Sequence, residues 1–286
     1  MRLMVFGQTG QVARELIRRA PSEVSLRTLG REDADLSRPE TCAAAILNAD
    51  VDAVINVAAW TAVDQAEGEE DAATVVNGAA PAAMAAAAAA RGLPILHVST
   101  NYVFDGSGAT PFSPDYPTAP LGVYGRSKLA GERGVRDSGA RHLILRTSWV
   151  VSAHGRNFVK TMLRLGGERE TLSVVADQVG GPTPAAALAD ALFSCARKLV
   201  SGSDGGTYHF AGAPDVSWAE LARAVMTGAG LPCAIQDIPS SAYPTPAVRP
   251  GNSRLDCASL ARDFGIDRPD WRADLPGILD ELRAAR

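Results

Sequence analysis

Leu3-Met4-Val5-Phe6-Gly7-Gln8-Thr9-Gly10-Gln11-Val12-Ala13 reads as a buried strand that turns over two glycines into a helix. Four apolar residues in a row suit a strand covered on both faces, as in a parallel sheet. Glycines here let the backbone turn tightly and approach a pyrophosphate, whose charge the amides at the helix N-terminus would meet. The spacing is Gly-x-x-Gly-x-x-Ala, not the Gly-x-Gly-x-x-Gly form, and in isolation it also fits a plain strand-to-helix turn. Its position at the first strand of the chain favours a dinucleotide site.

Outward from this turn, the first half alternates short aliphatic runs with longer helical patterns, the signature of a parallel sheet wrapped by helices. Strands are expected at Leu3–Phe6, Val24–Leu29, Ala53–Val57, Ile95–Ser99 and His142–Arg146. Helices are expected at Gln11–Arg19, Pro39–Asn48, Asp64–Arg91 with a break at Gly78, and Tyr124–Arg136. Ser37, followed three residues later by Glu40, fits a capping box for the second helix. Beyond Arg146 the pattern loosens into a helix at Asn157–Leu165, a strand at Leu172–Val175 and a helix at Ala185–Leu199. Gly180–Pro184 and Pro239–Pro250 read as shaped loops. The expected architecture is α/β, with a Rossmann-like, doubly wound parallel sheet over 1–150 for the cofactor. A smaller α/β substrate domain over 151–286 follows, some of its elements returning to the first.

The 286 residues are 46% hydrophobic and 21% charged with a net charge of −4, which excludes disorder and a polycationic nucleic-acid binder. Cys42, Cys195, Cys233 and Cys257 are scattered, and His97, His142, His154 and His209 lack metal-ligand spacing, so no disulfide framework and no metal site are expected. The apolar interval before Gly7 is too short for a signal peptide, and the alanine-rich run Ala79–Ala90 is too short and too weakly apolar for a bilayer span. A cytoplasmic protein with no membrane partner is expected. Aromatic residues make up only 6% of the chain, so each ring is worth locating.

After the second strand, Arg31 is a cation placed to accept a 2′-phosphate and tilts the cofactor choice toward NADPH, with NADH the second option. An unliganded surface arginine is the other reading. Small residues in Asn56-Val57-Ala58-Ala59 leave space for a cofactor chain, or for tight helix–strand packing. Tyr124-Gly125-Arg126-Ser127-Lys128 puts a phenol and an ammonium one turn apart on one helix face. Such a pair suits protonation of a ketone oxygen as hydride reaches carbon. The pair follows a fourth strand ending Val98-Ser99-Thr100, so hydroxyl, phenol and ammonium would meet at the C-terminal sheet edge, where such folds bind ligands.

Further motifs join this set: Ser99-Thr100-Asn101-Tyr102-Val-Phe-Asp-Gly106, Arg146-Thr-Ser-Trp149-Val, Asp177-Gln178-x-Gly180-x-Pro182-Thr183 and Arg249-Pro-Gly-Asn252-Ser253. Together with the glycine turn, Asn56-Val-Ala-Ala and Tyr124-x-x-x-Lys128, they make the chain resemble the dTDP-4-dehydrorhamnose reductases, members of the extended short-chain dehydrogenase/reductases. The resemblance runs from the first strand to near Trp271. It implies NADPH-dependent reduction of the C4 ketone of a dTDP-6-deoxy-4-keto-hexose to dTDP-L-rhamnose, with Tyr124 as general acid. Lys128 would be its electrostatic partner and hold the nicotinamide ribose, while Thr100 would hydrogen-bond the substrate carbonyl. It further implies a cofactor held by Gly7, Thr9, Gly10, Gln11, Val12, Arg31, Asp35, Leu36, Ala58, Ala59 and Thr61 together with Tyr124 and Lys128. Asn101, Tyr102 and Trp149 would face the sugar, a core tryptophan at a strand end being the other reading of Trp149; Arg249 and Asn252 would contact the nucleotide diphosphate or hold their Pro-rich loop.

Departures from the family pattern narrow this picture. Asn101 stands where an aspartate is more common and Val151 where a tyrosine is. Some relatives dimerise through carboxylates and Mg²⁺; Glu15 and Glu281 match two of those positions, but Ala186 replaces another glutamate. The expectation is a monomer or a homodimer not built on metal. A nucleotide-sugar epimerase or dehydratase on the same fold is the competing enzyme. A dehydratase would want a carboxylate beside Thr100, where Asn101-Tyr102 stand. A non-catalytic NADP-binding regulatory subunit is the competitor from another class, since the methionine adenosyltransferase regulatory subunit resembles this family.

Overall fold

The computed structural model describes residues 1–284. The first half runs β1 (Arg2–Phe6), α1 (Gln11–Arg19), β2 (Ser25–Leu29), α2 (Pro39–Leu47), β3 (Ala53–Asn56), α3 (Val63–Ala66), α4 (Glu70–Thr74), a π turn (Val75–Ala79), α5 (Ala80–Ala90), β4 (Ile95–Thr100), α6 (Val123–Asp137) and β5 (His142–Thr147). The second half runs β6 (Val150–Val151), α7 (Phe158–Glu168), β7 (Thr171–Val175), β8 (Val179–Gly180), β9 (Thr183–Pro184), α8 (Ala185–Val200), β10 (Gly206–His209), β11 (Val216–Ser217), α9 (Trp218–Ala229), β12 (Ala234–Ile238), β13 (Asn252–Ser253), α10 (Ala258–Phe264) and α11 (Trp271–Ala284).

The central sheet has six strands in the order β10-β5-β4-β3-β1-β2, every neighbouring pair parallel. Its β1 explains the run Leu3–Phe6: Leu3 and Val5 enter one core with Leu16, Leu188, Leu192 and Phe264, while Met4 and Phe6 enter the opposite core with Ile46, Met84 and Val135. Alternate side chains thus serve two helix layers, so the strand must be apolar throughout. A third core, around Leu163, Leu221, Val225 and Trp271, gathers α7, α9 and α11 with the parallel pair β7-β12. Although β10 and α8 come late in the chain, they belong to the large sheet and its helix layer.

Two expectations are corrected. Helix α2 takes Arg38, not Ser37, as its N-cap, with Pro39 at its start and no side-chain cap; the Ser37 N–H instead bonds Asp35 Oδ1 at 2.9 Å. A true capping box occurs at Ser217–Glu220, opening α9. The helix expected from Asp64 to Arg91 breaks earlier, between α3 and α4, whereas Gly78 sits inside the π turn and the helix continues through it. The resulting Glu70–Ala90 helix is long and apolar enough to cross a membrane by composition, but half of that window is buried within this fold.

Helix α6 lies unusually close to its neighbours. A Cβ at Gly125 would overlap the Tyr102 carbonyl, one at Gly131 the Asn77 carbonyl in the π turn, and one at Gly134 Ala82. In an open helix, Gly→Ala would stabilise by about 0.5–1 kcal/mol. Here Gly131→Ala is expected to reverse that sign and cost about 1–3 kcal/mol through overpacking against backbone, as read by denaturant melts.

Candidate active site

Thr100 ends β4, and its Oγ1 accepts a 3.2 Å bond from the Tyr102 N–H as the chain turns away from the sheet. Tyr124 is the second residue of α6, brought over that strand end by the close Gly125 contact. Its phenol lies beside the Thr100 hydroxyl, and its ring meets Tyr102 edge-on with centroids 5.3 Å apart. Burial pushes the phenol up to about 12, the neighbouring Thr100 hydroxyl opposing only part of that rise. The phenol is therefore protonated at neutral pH, the state a general acid needs.

Lys128 lies one turn further along α6 and is buried. Its Nζ donates to the Val98 carbonyl at 2.8 Å and sits 3.3 Å from His97 Nε2. Burial pulls the amine down to about 8, with Glu132 pulling the other way. Glu132, on the next turn, is fully buried and accepts from Ser99 Oγ at 2.6 Å and from Arg146 at 2.7 and 2.8 Å. A buried ion pair thus underlies the strand end that carries Thr100.

The glycine turn supplies a backbone cradle. Gly7 has φ +123°, and a Cβ there would press on Val57 at 3.1 Å, so glycine is required. Helix α1 begins behind Gly10 with no side-chain cap, and nothing lies within 4 Å of a Cβ placed at Gly10. Free first-turn amides beside open space suit a diphosphate. The Gln11 side chain is committed elsewhere, donating to the Val150 carbonyl at 3.2 Å and accepting from Ser152 and Asn157 at 2.9 and 2.8 Å, so only its backbone faces the cradle. Thr9 is exposed, and Val12 packs on the core. Arg31 is 80% exposed and 3.4 Å from Asp35, whose carboxyl the Ser37 amide holds below its ordinary value. Leu36 and Ala58 pack on the adjacent core; Ala59 is half-buried and Thr61 exposed.

The sugar-facing candidates divide. Tyr102 OH meets Arg249 at 3.3 Å, and Arg249 also pairs with Asp64 at 2.6 Å, which neutralises its charge in this arrangement. Trp149 has φ +47°, and its ring stacks on Trp218 with centroids 3.5 Å apart, so one face of the plate is already covered. Asn101 is buried and donates to Ser253 Oγ at 2.9 Å. Asn252 is buried too, donating to the Ser107 and Thr110 carbonyls and accepting from the Arg254 N–H. Both amides hold loops together, which for Asn252 is the loop-holding role. Sequence reasoning missed Asn77, which clamps the Trp60 backbone (Trp60 N–H to Oδ1 at 2.8 Å, Nδ2 to Trp60 O at 3.0 Å) and reaches Ser127 Oγ at 3.0 Å. Its one signal is the irregular Asn77-Gly78 step inside a helical pattern.

The family model described as the RmlD substrate binding domain matches residues 1–284. A dTDP-4-dehydrorhamnose reductase of Sinorhizobium fredii is 45% identical over 95% of this chain and 94% of its own. The chain belongs to the dTDP-4-dehydrorhamnose reductase family. The Escherichia coli K12 enzyme of that name is 41% identical over 99% of this chain and 98% of its own. Among solved structures, the reductase of Clostridium acetobutylicum superposes with a TM-score of 0.93 at 31% identity over 99% of this chain and 100% of its own. The reductase of Bacillus anthracis, in complex with NADP, gives a TM-score of 0.92 at 32% identity over 98% and 99%. The Rossmann-like fold and the oxidoreductase class of the family are therefore this chain's as well.

Within the reductase family frame, the carboxylates Glu15 and Glu281 do not fit a divalent cation. The Arg18 guanidinium already lies between them, 2.9 Å from each, and His154 Nε2 is 3.4 and 3.5 Å from the pair. A hard cation needs several free oxygens, and Ala186 offers none.

Proposed function

We propose that this protein reduces the C4 ketone of dTDP-4-dehydro-L-rhamnose to dTDP-L-rhamnose with NADPH. The observation that carries the reading is the Thr100–Tyr124 hydroxyl pair over the end of β4, with Lys128 one turn behind, in a chain whose relatives bear that activity in their names. NADPH, seen as NADP in the Bacillus anthracis relative, would supply the hydride to C4. The backbone of Gly7, Thr9, Gly10, Gln11 and Val12 would hold its diphosphate, and Arg31 its 2′-phosphate. Asp35, Leu36, Ala58, Ala59 and Thr61 would line its remaining length, and Lys128 its nicotinamide ribose.

Thr100 and Tyr124 would both donate to the ketone oxygen, polarising it before negative charge develops. As that charge grows, the phenol proton passes to the oxygen. Tyr102, Trp149 and Arg249 would orient the sugar nucleotide, Arg249 exchanging Asp64 for diphosphate. Asn101 and Asn252 would support this pocket through the loops they tie. The elements around the third core would form the substrate domain, over 151–286. A cytoplasmic enzyme, acting as a monomer or as a homodimer without metal, completes the reading.

Incubation with dTDP-4-dehydro-L-rhamnose is expected to consume NADPH stoichiometrically and yield dTDP-L-rhamnose. Turnover without net NADPH consumption would instead indicate an epimerase. Arg31→Ala is expected to weaken NADPH binding about tenfold, the scale of one exposed phosphate contact of about 1–1.5 kcal/mol, while NADH binding stays the same. Equal losses for both cofactors would place the 2′-phosphate elsewhere.

A further inference from the structure

His97 is fully buried beneath the site, has no place in the scheme above, and joins two strands to Lys128. On β3, the Asn56 side chain lies between the Ala58 amide and His97. Ala58 N–H donates to Asn56 Oδ1 at 3.1 Å, and Asn56 Nδ2 is 3.1 Å from His97 Nδ1. On the other side of the ring, His97 Nε2 is 3.3 Å from Lys128 Nζ.

The direction of this chain of bonds is fixed at one end. A backbone N–H only donates, so the Ala58 amide requires the oxygen of the Asn56 amide to face it. The Asn56 NH₂ then faces Nδ1, which must accept. A neutral imidazole that accepts at Nδ1 carries its proton on Nε2. Turning the Asn56 amide over would set two donors against each other at Ala58. Burial and the nearby Lys128 hold His97 well below its ordinary value, so the imidazolium is disfavoured as well.

We infer that Ala58, Asn56 and His97 form a one-way relay that points an N–H at Lys128 and thereby makes His97 a positioning residue that limits the hold of Lys128 on its proton. The inference rests on the reading of Lys128 as the partner of Tyr124. Nζ satisfies both neighbours when it donates to the Val98 carbonyl and offers a lone pair to His97 Nε2–H; a full ammonium would meet that N–H donor to donor. Lys128 is then poised to give up a proton, and the phenolate left after Tyr124, one helix turn away, has protonated the product oxygen is the stronger base. The groups around the amine are His97 and the Val98 carbonyl on β4, Asn56 behind His97 on β3, and Glu132 on α6, with Tyr124 one turn back on that helix. Glu132 is in turn tied to Arg146 of β5, Ser99 of β4 and Arg136 of α6. Glu132 favours the ammonium, so the relay acts against it.

Nitrogen-15 NMR of histidine-labelled wild-type protein tests the inference without reference to activity, with His97 assigned by elimination using single variants of the other three histidines. The expected result between pH 6 and 9 is a bare Nδ1 and a protonated Nε2. A protonated Nδ1 overturns the relay. In Asn56→Asp the carboxylate accepts from both Ala58 and His97, so the proton should move to Nδ1 and leave Nε2 free to accept from the ammonium. The alkaline limb of kcat should then rise by about one to two pH units, the scale of a reversed contact to a charged group. Retention of the Nε2 proton in Asn56→Asp, or an unmoved limb with the tautomer switched, also overturns it. Lys128→Met separates the two ideas: full turnover there would remove the catalytic reading, and the wild-type tautomer would still decide the relay.

Discussion

Tyr124→Phe is expected to lower kcat by about 10²–10⁴-fold, the contribution of a positioned proton donor, while NADPH binding, followed by nucleotide fluorescence titration, stays within about twofold, below roughly 0.4 kcal/mol. The asymmetry follows from where the hydroxyl is. The ring of Tyr124 packs edge-on against Tyr102, and that contact survives in phenylalanine. What disappears is the O–H that lies beside Thr100 and would bond the ketone oxygen. Burial holds this phenol at about 12, so in the wild type its own deprotonation cannot limit activity in the neutral range. A loss of activity with rising pH near 8 would therefore report Lys128, which burial brings down to about 8, and not the acid itself. Turnover by Tyr124→Phe close to wild type would move the proton donor elsewhere.

The parts of the site that lie within one strand-turn-helix unit were legible in the sequence, because period and turn chemistry are local. The β1 turn into α1, the end of β4 at Thr100 and the Tyr124–Lys128 face of α6 all lie within one residue of their expected places. Illegible features depend on partners far apart in the chain. Asn252 reads in sequence either as a diphosphate ligand or as a loop-holding amide, and its bonds to carbonyls 142 and 145 residues away could not be read there. Asn77 clamps Trp60 across 17 residues, and His97 reaches Asn56 across 41. Even a local rule failed at Ser37: Asp35 claimed its amide, and the helix, starting at Pro39 as expected, took Arg38 as its N-cap. A capping pattern states an option, and the competing turn decides whether it is taken.

The buried pair Glu132–Arg146 was equally hidden, and it carries the largest expected effect on stability. Both side chains are at most 3% exposed, and the guanidinium reaches both carboxylate oxygens while also donating to the Pro114 carbonyl at 3.0 Å and stacking 5.0 Å over Phe104. Removing one partner strands the other charge away from water. Glu132→Gln is therefore expected to destabilise the fold by about 3–5 kcal/mol at pH 7, measured by urea denaturation. Replacing both residues, as Glu132→Met with Arg146→Met, should recover most of that loss, since no charge is then left unpaired. The dependence on pH has a definite sign. Burial alone would raise the Glu132 carboxyl, but the Arg146 and Ser99 hydrogen bonds and the Arg146 and Arg136 charges outweigh it and hold the group below its ordinary 4.5. A carboxyl depressed in the folded state contributes its full stability above its unfolded value and loses it as pH falls through the folded one. The gap between wild type and Glu132→Gln should thus be constant from pH 8 to about 5, then narrow in acid. Ser99 hangs from the same carboxylate beside Thr100, so Glu132→Gln should also lower kcat, by less than Tyr124→Phe does, because it loosens the strand end without removing the proton donor. A gap that widened in acid would mean that Glu132 is held in its protonated form and that Arg146 draws its counter-charge from another group.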